Sequence, residues 1–382
     1  MHAMQKRSIS LHEFHVKRRH AAAMVIATNR EGTEAMTAAN DQTTWKRWRS
    51  AADLYHAVFT GLILTVVTRR GTPDAAEFVF RIFRRQQQER FLAGLDKLGL
   101  SHLPPAVAAA QYHYLSNWIG GVSVEYMIEN DRKAWIRYPP PRWIWRGTAI
   151  CGIPGDVSRA MLRGWHANNG VALGNLRLGF VCTKQSVDGQ DGLEGYYCEY
   201  DHDLDIDQRL VFARHLEAPP FDPAKAPALP VDSWPKPRLE KAYRNYAMEY
   251  VRTAAPVAMQ LFGPDDAGHL LRLTGKLIGM QYYDEVAKSF GMARGDATTF
   301  TNFFTVLLGA QDDEFTIDKS AGAIAVRQTS WKLMDGIIDA HPACAELLRG
   351  LVEGLAAGCG RNIPVTMTAE RNGARPFTWT IG

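Results

Sequence analysis

The sequence lacks a strong excess of charge of either sign. Its 44 Lys and Arg against 40 Asp and Glu leave a formal net charge of +4 over 382 residues. A nucleic-acid-binding protein shows a larger and more clustered basic excess, so nucleic acid is not an expected partner. Charged residues make up 22% and hydrophobic residues 46% of the chain, which is the balance of an ordinary soluble globular protein.

Cysteine and long apolar runs are also scarce. The five cysteines are odd in number and widely spaced, which is typical of a reducing compartment rather than of a disulfide framework. We therefore expect a cytoplasmic protein. The longest apolar run, residues 57–67, contains two threonines and is far shorter than the about 20 residues of a membrane span, so no membrane partner is expected.

Several motifs of catalysis are missing from the sequence. It contains no Gly-rich phosphate loop, no Gly-x-Ser-x-Gly elbow and no His-Glu-x-x-His helix, so no nucleotide cofactor is expected and neither a serine hydrolase nor a zincin is indicated. Residues 17–27 have the basic-then-apolar order of a secretion signal but lack a small-residue cleavage site after it. We interpret residues 1–43 as a disordered N-terminal extension.

What the sequence does contain is a repeated order of patterns. Helical spacing, then two alternating strands, then a helix and a second hairpin fill residues 44–216. Residues 217–237 hold seven prolines and predict a stiff linker. The same order follows over residues 238–382. The predicted fold is α+β, a tandem duplication of a helices–β-hairpin–helix–β-hairpin unit that forms an intramolecular pseudo-dimer.

A Leu-Arg-Gly triplet marks the predicted helix between the hairpins in both units. It occupies residues 162–164 in a helix predicted over residues 156–170, and residues 348–350 in the second unit. The second copy continues with apolar core residues, whereas the first continues with Trp165 and His166 and then two asparagines. This asymmetry predicts that the first unit holds an active or ligand-binding site and that the second is structural.

The end of the chain resembles a known group of domains. Residues 344–355 and 360–379 resemble the end of the vinyl-reductase-like small-molecule-binding domains, which include the sensor domains of phenol-responsive activators, and are similar to the L-2-amino-thiazoline-4-carboxylate hydrolase family. The resemblance implies a ligand held between helices and a small sheet. Cys344 and Glu370 fall near two zinc-ligand positions of the sensors, but Asn372 and Phe377 stand in place of cysteines, which implies that this metal site is lost.

Two cysteines of the first unit suggest a reactive or metal-binding cluster. Cys182 and Cys198 lie symmetrically about Gln190, so a hairpin that turns there places them opposite each other, with His166 on the helix above. The three residues would bind zinc or supply a thiolate with its base. The alternative is two buried thiols and a half-buried histidine. The cofactor is therefore none or a single zinc ion.

Carboxylates and aromatic residues of the two hairpins complete the candidates. Glu125 and Tyr126 point to opposite faces of a strand, and Glu194 is the other carboxylate placed for acid–base work if it faces inward. Both carboxylates are otherwise solvated strand residues. The candidate ligand-binding residues, which are otherwise core or capping residues, are Trp165, Asn168, Tyr126, Tyr196 and Trp143. Asn169 is interpreted as the cap of the helix.

These features lead to two alternative functions. The first is an enzyme that, by the resemblance, hydrolyses a C–N or C–S bond in a small heterocyclic or aromatic compound. His166 would act as base or ligand anchor, Cys182 as nucleophile or metal ligand, and Glu125 or Glu194 as proton shuttle. The second is a non-catalytic binding or sensor protein for a small hydrophobic ligand. Either way the expected partner is a small molecule, and a homodimer is compatible with the sequence.

Overall fold

Helices and two small sheets follow one another along the chain. The computed structural model describes residues 11–140, 143–144, 147–230, 232–319, 323–370 and 374–382, with side chains from Asp41 onward outside 370–375. The helices are α1 (Leu11–Arg70), α2 (Thr72–Leu98), α3 (Pro105–Ile119), α4 (Gly155–Gly164), α5 (Asn169–Ala172), α6 (Lys236–Phe262), α7 (Pro264–Ser289), α8 (Ala297–Ala310) and α9 (Ala345–Cys359). The fold class is α+β, as predicted.

The strands form two sheets with related strand orders. They are β1 (Glu125–Asn130), β2 (Lys133–Tyr138), β3 (Leu178–Lys184), β4 (Leu193–Glu199), β5 (Leu210–Phe212), β6 (Phe315–Asp318), β7 (Ile324–Gln328), β8 (Val365–Glu370) and β9 (Ala374–Ile381). The first sheet has the order β1-β2-β4-β3-β5 and the second the order β6-β7-β9-β8. In each sheet two hairpins therefore join through the second strand of each. Strand β5, parallel to β3, was not predicted.

The chain divides into two units, Met1–Lys46 and Arg47–Gly382. The extension predicted over residues 1–43 begins outside the described residues, and from Leu11 it is helical, which its alanine-rich sequence favours. The turn of the last predicted hairpin, residues 371–373, also lies outside the described residues. One described helix, over Asp41–Arg70, is long and apolar enough to cross a membrane, but 67% of its apolar stretch is buried inside the protein, as in a core helix.

The long helices pack in two antiparallel pairs. Gly71 and Gly263 each separate two of them with a positive φ of 91° and 78°, which glycine adopts without steric cost. Three polar contacts join α1 to α7: Ser50 with Ser289, Thr65 with Thr274 and Arg70 with Asp266. Three contacts join α2 to α6: Phe78 with Phe262, Gln86 with Thr253 and Arg90 with Glu249. Each first helix thus packs on the second helix of the other half of the chain.

The two Leu-Arg-Gly helices cross the preceding long helix at very short distance. A Cβ atom on Gly164 of α4 would lie 2.6 Å from the carbonyl oxygen of Phe80 on α2. A Cβ atom on Gly350 of α9 would lie 2.1 Å from the carbonyl oxygen of Arg272 on α7. Phe80 and Arg272 each lie nine residues after the separating glycine. Only glycine permits this approach of backbone to backbone.

The helix predicted over residues 156–170 is shorter than expected. Helix α4 ends at Gly164, a 3₁₀ turn follows over His166–Asn168, and α5 begins at Asn169. The side-chain nitrogen of Asn168 donates to the carbonyl oxygens of Arg163 (2.8 Å) and Gly164 (3.3 Å), so it satisfies the open end of α4. The prediction of one continuous helix is wrong because this cap stops it after the glycine crossing.

Candidate functional site

A cavity of about 440 Å³ lies between α2, α3, α6 and the end of α4. Its volume falls in the range of small-molecule sites. Its lining includes the aromatic side chains of Phe83, Tyr112, Tyr138, Trp165, Tyr246 and Tyr250. The lining residues come from the first half of the chain, from α6 and from Trp234 of the predicted linker. The helix pairing described above is therefore what closes it.

Two stacked histidines form the floor of the cavity. His113 of α3 and His166 of the 3₁₀ turn have ring centroids 4.2 Å apart at an interplanar angle of 16°. Only 4% and 5% of these residues is exposed. His113 faces inward because it lies on the buried side of α3, and His166 is buried in the 3₁₀ turn that follows α4. Sequence reasoning identified His166 but not His113.

Tyr197 and Asn169 hold the imidazoles in place. The hydroxyl of Tyr197 lies 2.6 Å from Nδ1 of His166. The side-chain nitrogen of Asn169 lies 2.9 Å from that hydroxyl and 3.2 Å from Nε2 of His113, while Nδ1 of His113 lies 3.4 Å from the Tyr138 hydroxyl. Burial raises the pKa of Tyr197 well above its usual value. The phenol therefore stays protonated and acts as a hydrogen-bonding group.

The mouth of the cavity carries charged residues. Arg90 of α2 and Glu249 of α6 form an ion pair at 2.6 Å, and burial raises the pKa of Glu249 even though Arg90 opposes the shift. Trp234, at the end of the predicted linker, also lines the cavity. Lys97 and Arg238 lie 5.2 and 4.1 Å from the centroid of its ring. The linker therefore supplies part of the wall as well as a connection.

Two of the predicted site residues line the cavity. They are His166 and Trp165, and Trp165 stacks on Tyr112 with centroids 6.2 Å apart. Asn168 caps α4 instead of facing a ligand, and Asn169, which was interpreted as a cap, is fully buried beside the histidines. Asn168 thus has the capping role predicted for Asn169, while Asn169 contacts His113 and Tyr197 and is not among the residues that line the cavity. The reason is that the 3₁₀ turn rotates the chain between them.

The other predicted ligand-binding residues lie outside the cavity lining. Tyr126 is buried between α3 and the sheet, where its hydroxyl accepts a hydrogen bond from Gln111. Trp143 belongs to the main core. Tyr196 packs on Trp135 on the opposite face of the sheet from Tyr197, with centroids 4.4 Å apart. The alternation of side chains along a strand predicts which face of the sheet each residue is on. It does not predict how far the residue lies from a cavity.

The predicted carboxylates are held by structural contacts. Glu125 pairs with Arg137 at 3.2 Å. Glu194 is only 2% exposed and accepts hydrogen bonds from the Thr183 hydroxyl (2.7 Å) and the Ala218 amide (3.1 Å). Neither carboxylate is among the residues that line the cavity. Both stabilise the sheet and the segment packed on its outer face.

The two cysteines do not face each other. In the β3–β4 ladder Cys182 pairs with Gly195 and Cys198 pairs with Gly179, because a 3₁₀ turn over Ser186–Asp188 shifts the centre of the hairpin away from Gln190. Cys182 packs in the main core, and Cys198 packs on the outer face of the sheet. The predicted opposition of the two thiols is therefore wrong.

The chemistry of Cys182 follows from its burial. Its thiol is 1% exposed and contacts the carbonyl oxygen of Lys184 at 3.4 Å. Burial raises the pKa of this thiol to about 12, so little thiolate is present at neutral pH. Within the described part of the chain, no group of three His, Cys, Asp or Glu side chains has the geometry of a metal site. The zinc ion stays a prediction without geometric support.

Three residues of the site were missed by sequence reasoning. Asn169 carried a signal, since it follows His166 by three residues, but its side chain also suits a helix cap. Tyr197 carried one too, because a two-residue period requires either Tyr196 or Tyr197 to face the helices. No sequence signal pointed to His113, because a histidine on a helix in an alanine-rich stretch has many ordinary explanations. Its role depends on contacts with residues more than fifty positions away.

Replacing Tyr197 by phenylalanine tests the network at the floor. The change leaves His166 Nδ1 and one N–H of Asn169 without their partner in a buried site, so we expect the free energy of unfolding to fall by about 1–3 kcal/mol. Chemical denaturation measures this loss. Tyr200→Phe, at a half-buried tyrosine outside the cavity, is the control and should change it by less than about 0.5 kcal/mol. Equal effects would contradict the network.

Comparison with known proteins found no match to this chain. No family model matches the chain, and neither a curated protein nor a solved structure matches it. The resemblance to vinyl-reductase-like domains therefore stays a prediction. The cavity and the residues around it are the features that bear on function.

Proposed function

We propose that this protein binds a small, flat, largely apolar organic molecule in the cavity above His113 and His166. The observation that carries this proposal is the combination of aromatic walls with a small polar floor in one cavity of about 440 Å³. Such a cavity gains apolar contact from the rings and orientation from a few hydrogen bonds. The proposal corresponds to the second of the two predicted functions, a binding or sensor protein.

Hydrolysis has less support from the same geometry. Of the four predicted catalytic residues, only His166 lines the cavity. The thiol of Cys182 has a raised pKa and lies in the core, and the two carboxylates lie elsewhere on the sheet. We therefore expect bound compounds to be recovered unchanged after long incubation, as measured by mass spectrometry. If the native protein instead forms a product and the His166→Phe variant does not, the protein is an enzyme.

A cavity-filling variant tests the binding proposal. A panel of flat heterocyclic and aromatic compounds is screened by thermal shift, and the ligands are measured by calorimetry. Ser116 lines the cavity, so the indole of a Ser116→Trp variant would occupy the ligand's space, and we expect the Kd to rise more than about 100-fold. Ser101→Trp, at an exposed serine, should leave the Kd unchanged. Equal affinities in both variants would place the ligand elsewhere.

We also propose that the two halves arose by duplication of one unit. The strand orders, the separating glycines and the Leu-Arg-Gly crossings support it. Tyr197 pairs with Phe180 and Ala134 in the first sheet, and Trp379 pairs with Met367 and Val326 at the matching place in the second.

The place beside the second sheet that matches the polar floor beside the first sheet is filled by an apolar contact. Phe304 of α8 packs on Trp379 with centroids 5.4 Å apart, where His113 stacks on Tyr197. This replacement supports a ligand site in the first half and a structural role for the second. A cytoplasmic location and a homodimer stay proposals from the sequence.

A further inference from the structure

We infer that the floor of the proposed site accepts an uncharged hydrogen-bonding group and excludes both carboxylates and cations. The basis is a chain of hydrogen bonds that begins at Arg84 and fixes both floor histidines as neutral imidazoles. The inference rests on the proposed function, because it describes the ligand of the same cavity. It narrows that ligand to neutral flat molecules.

The first link of the chain is the contact between Arg84 and Gln87 on α2. A guanidinium has only donors and stays protonated, so the atom of Gln87 that it meets must be the carbonyl oxygen Oε1. The nitrogen of Gln87 is then turned toward the 3₁₀ turn. It donates to the carbonyl oxygen of Asn168 at 3.2 Å and to Oδ1 of Asn169 at 3.4 Å.

The second link is the amide of Asn169. Since its oxygen accepts from Gln87, its nitrogen faces the floor and has two hydrogens to donate. One is directed at Nε2 of His113 and the other at the hydroxyl oxygen of Tyr197. Nε2 of His113 is therefore an acceptor, and the ring carries its hydrogen on Nδ1, which lies 3.4 Å from the Tyr138 hydroxyl.

The third link is the hydroxyl of Tyr197. Its oxygen accepts from Asn169, and among its described contacts the acceptor for its own hydrogen is Nδ1 of His166 at 2.6 Å. His166 is then neutral with its hydrogen on Nε2. A further proton on His113 would turn the acceptor Nε2 into a donor that faces the Asn169 N–H. A further proton on Nδ1 of His166 would take away the acceptor that the Tyr197 hydroxyl hydrogen has among its described contacts. Two cationic rings stacked at 4.2 Å would also repel each other.

The consequence for the ligand follows from where the charges lie. The floor is made of neutral imidazoles, amides and phenols, and burial also raises the pKa of Tyr112 in the wall. Charged side chains of the described lining, such as Arg90, Lys97 and Glu249, stand at the mouth. An ionic group at the floor would lose its hydration without gaining a counter-charge, and this loss costs far more for an ion than for a neutral carbonyl, amide or ring nitrogen.

Three probes of the same shape test the inference. Benzamide, benzoate and benzamidinium differ in charge but hardly in size, and their affinities for the full-length protein are measured by calorimetry at pH 7.5. We expect benzamide to bind at least ten-fold more tightly than either ion, and Ser116→Trp to remove that binding. Affinity for benzoate or benzamidinium within ten-fold of benzamide overturns the inference.

The result also separates the inference from the proposed function. If none of the three probes binds but other flat compounds of the panel do, and Ser116→Trp abolishes their binding, the inference is wrong and the proposed function stands. If no compound of the panel binds, the proposed function fails and the inference fails with it. Both outcomes are measured with the same binding assays on the unmodified protein and the Ser116→Trp variant.

A second measurement examines the hydrogen-bond chain directly. Long-range ¹H–¹⁵N NMR spectra of the unmodified protein should show the hydrogen of His113 on Nδ1 and that of His166 on Nε2. In Arg84→Met we expect these tautomers to mix and the preference for benzamide to fall below ten-fold. Arg81→Met, an exposed arginine on the same helix that pairs with Glu77, is the control. A doubly protonated ring, or unchanged tautomers in Arg84→Met, overturns the chain.

Discussion

Replacing Gly350 by alanine should lower the free energy of unfolding by about 3 kcal/mol. The new Cβ atom would lie 2.1 Å from the carbonyl oxygen of Arg272, and a backbone atom cannot rotate away as a side chain can. Helices α7 and α9 would have to separate along the crossing that also includes Gly354, whose Cβ would lie 2.2 Å from the carbonyl oxygen of Lys276. A loss of this size is a large fraction of the stability of most domains.

Urea denaturation followed by circular dichroism measures this effect. The matched control is Gly309→Ala in α8, where an added Cβ atom would meet nothing within 4 Å. Because alanine favours a helix over glycine, this control should gain up to about 1 kcal/mol. The same substitution is thus expected to have opposite signs at two helical glycines. A Gly350→Ala variant as stable as the control would mean that the helices do not cross this closely.

Cutting the chain within the proline-rich segment should leave the two halves associated in one native particle. A protease site inserted after the exposed Lys225 makes this cut possible. The reason for the association is the exchange of helices, in which α1 of the first half packs on α7 and α6 of the second half packs on α2. Each half separated from the other would expose an apolar helix face that the native chain buries.

Size-exclusion chromatography before and after cleavage checks this expectation. We expect both fragments to co-elute in buffer, to separate in concentrated guanidinium, and to be unfolded when each is diluted from denaturant alone. Refolding the mixture should restore the native particle. The uncleaved protein with the same insertion is the control. Two fragments that elute apart and are each folded would show that the halves are independent domains.

Much of the fold follows from local patterns in the sequence. The apolar spacing in residues 44–67 and 75–98 predicts two helices, and the structure has helices there. Helix α1 extends beyond both predicted ends, and α2 begins at Thr72 and ends at Leu98 as predicted. Glycine and proline at positions 71 and 73 predict the break between them, because these residues end and begin helices through their own backbone preferences. The second half repeats both features. Periodicity is a local property, so sequence alone is enough to place these elements.

The register of the second hairpin is a feature that local sequence patterns did not predict correctly. The positions of Cys182 and Cys198 about Gln190 predict a symmetric turn, but a short 3₁₀ segment and a bulge near Lys184 shift the pairing. A shift of this kind changes which side chains are opposite one another and which face the core. The predicted cluster of two thiols and a histidine depended on that register. Turn conformation therefore decided the chemistry proposed for these residues.

The sequence by itself determined the fold class, the order of the helices and hairpins, and the difference between the two Leu-Arg-Gly segments that pointed to Trp165 and His166. Tertiary structure alone decided that His113, Asn169 and Tyr197 meet His166, and that α6 from the other half closes the cavity above them. The physical reason is the separation along the chain of the residues that specify each feature. A helix or strand is specified by neighbours in the chain, whereas a buried hydrogen-bond network depends on how distant elements pack.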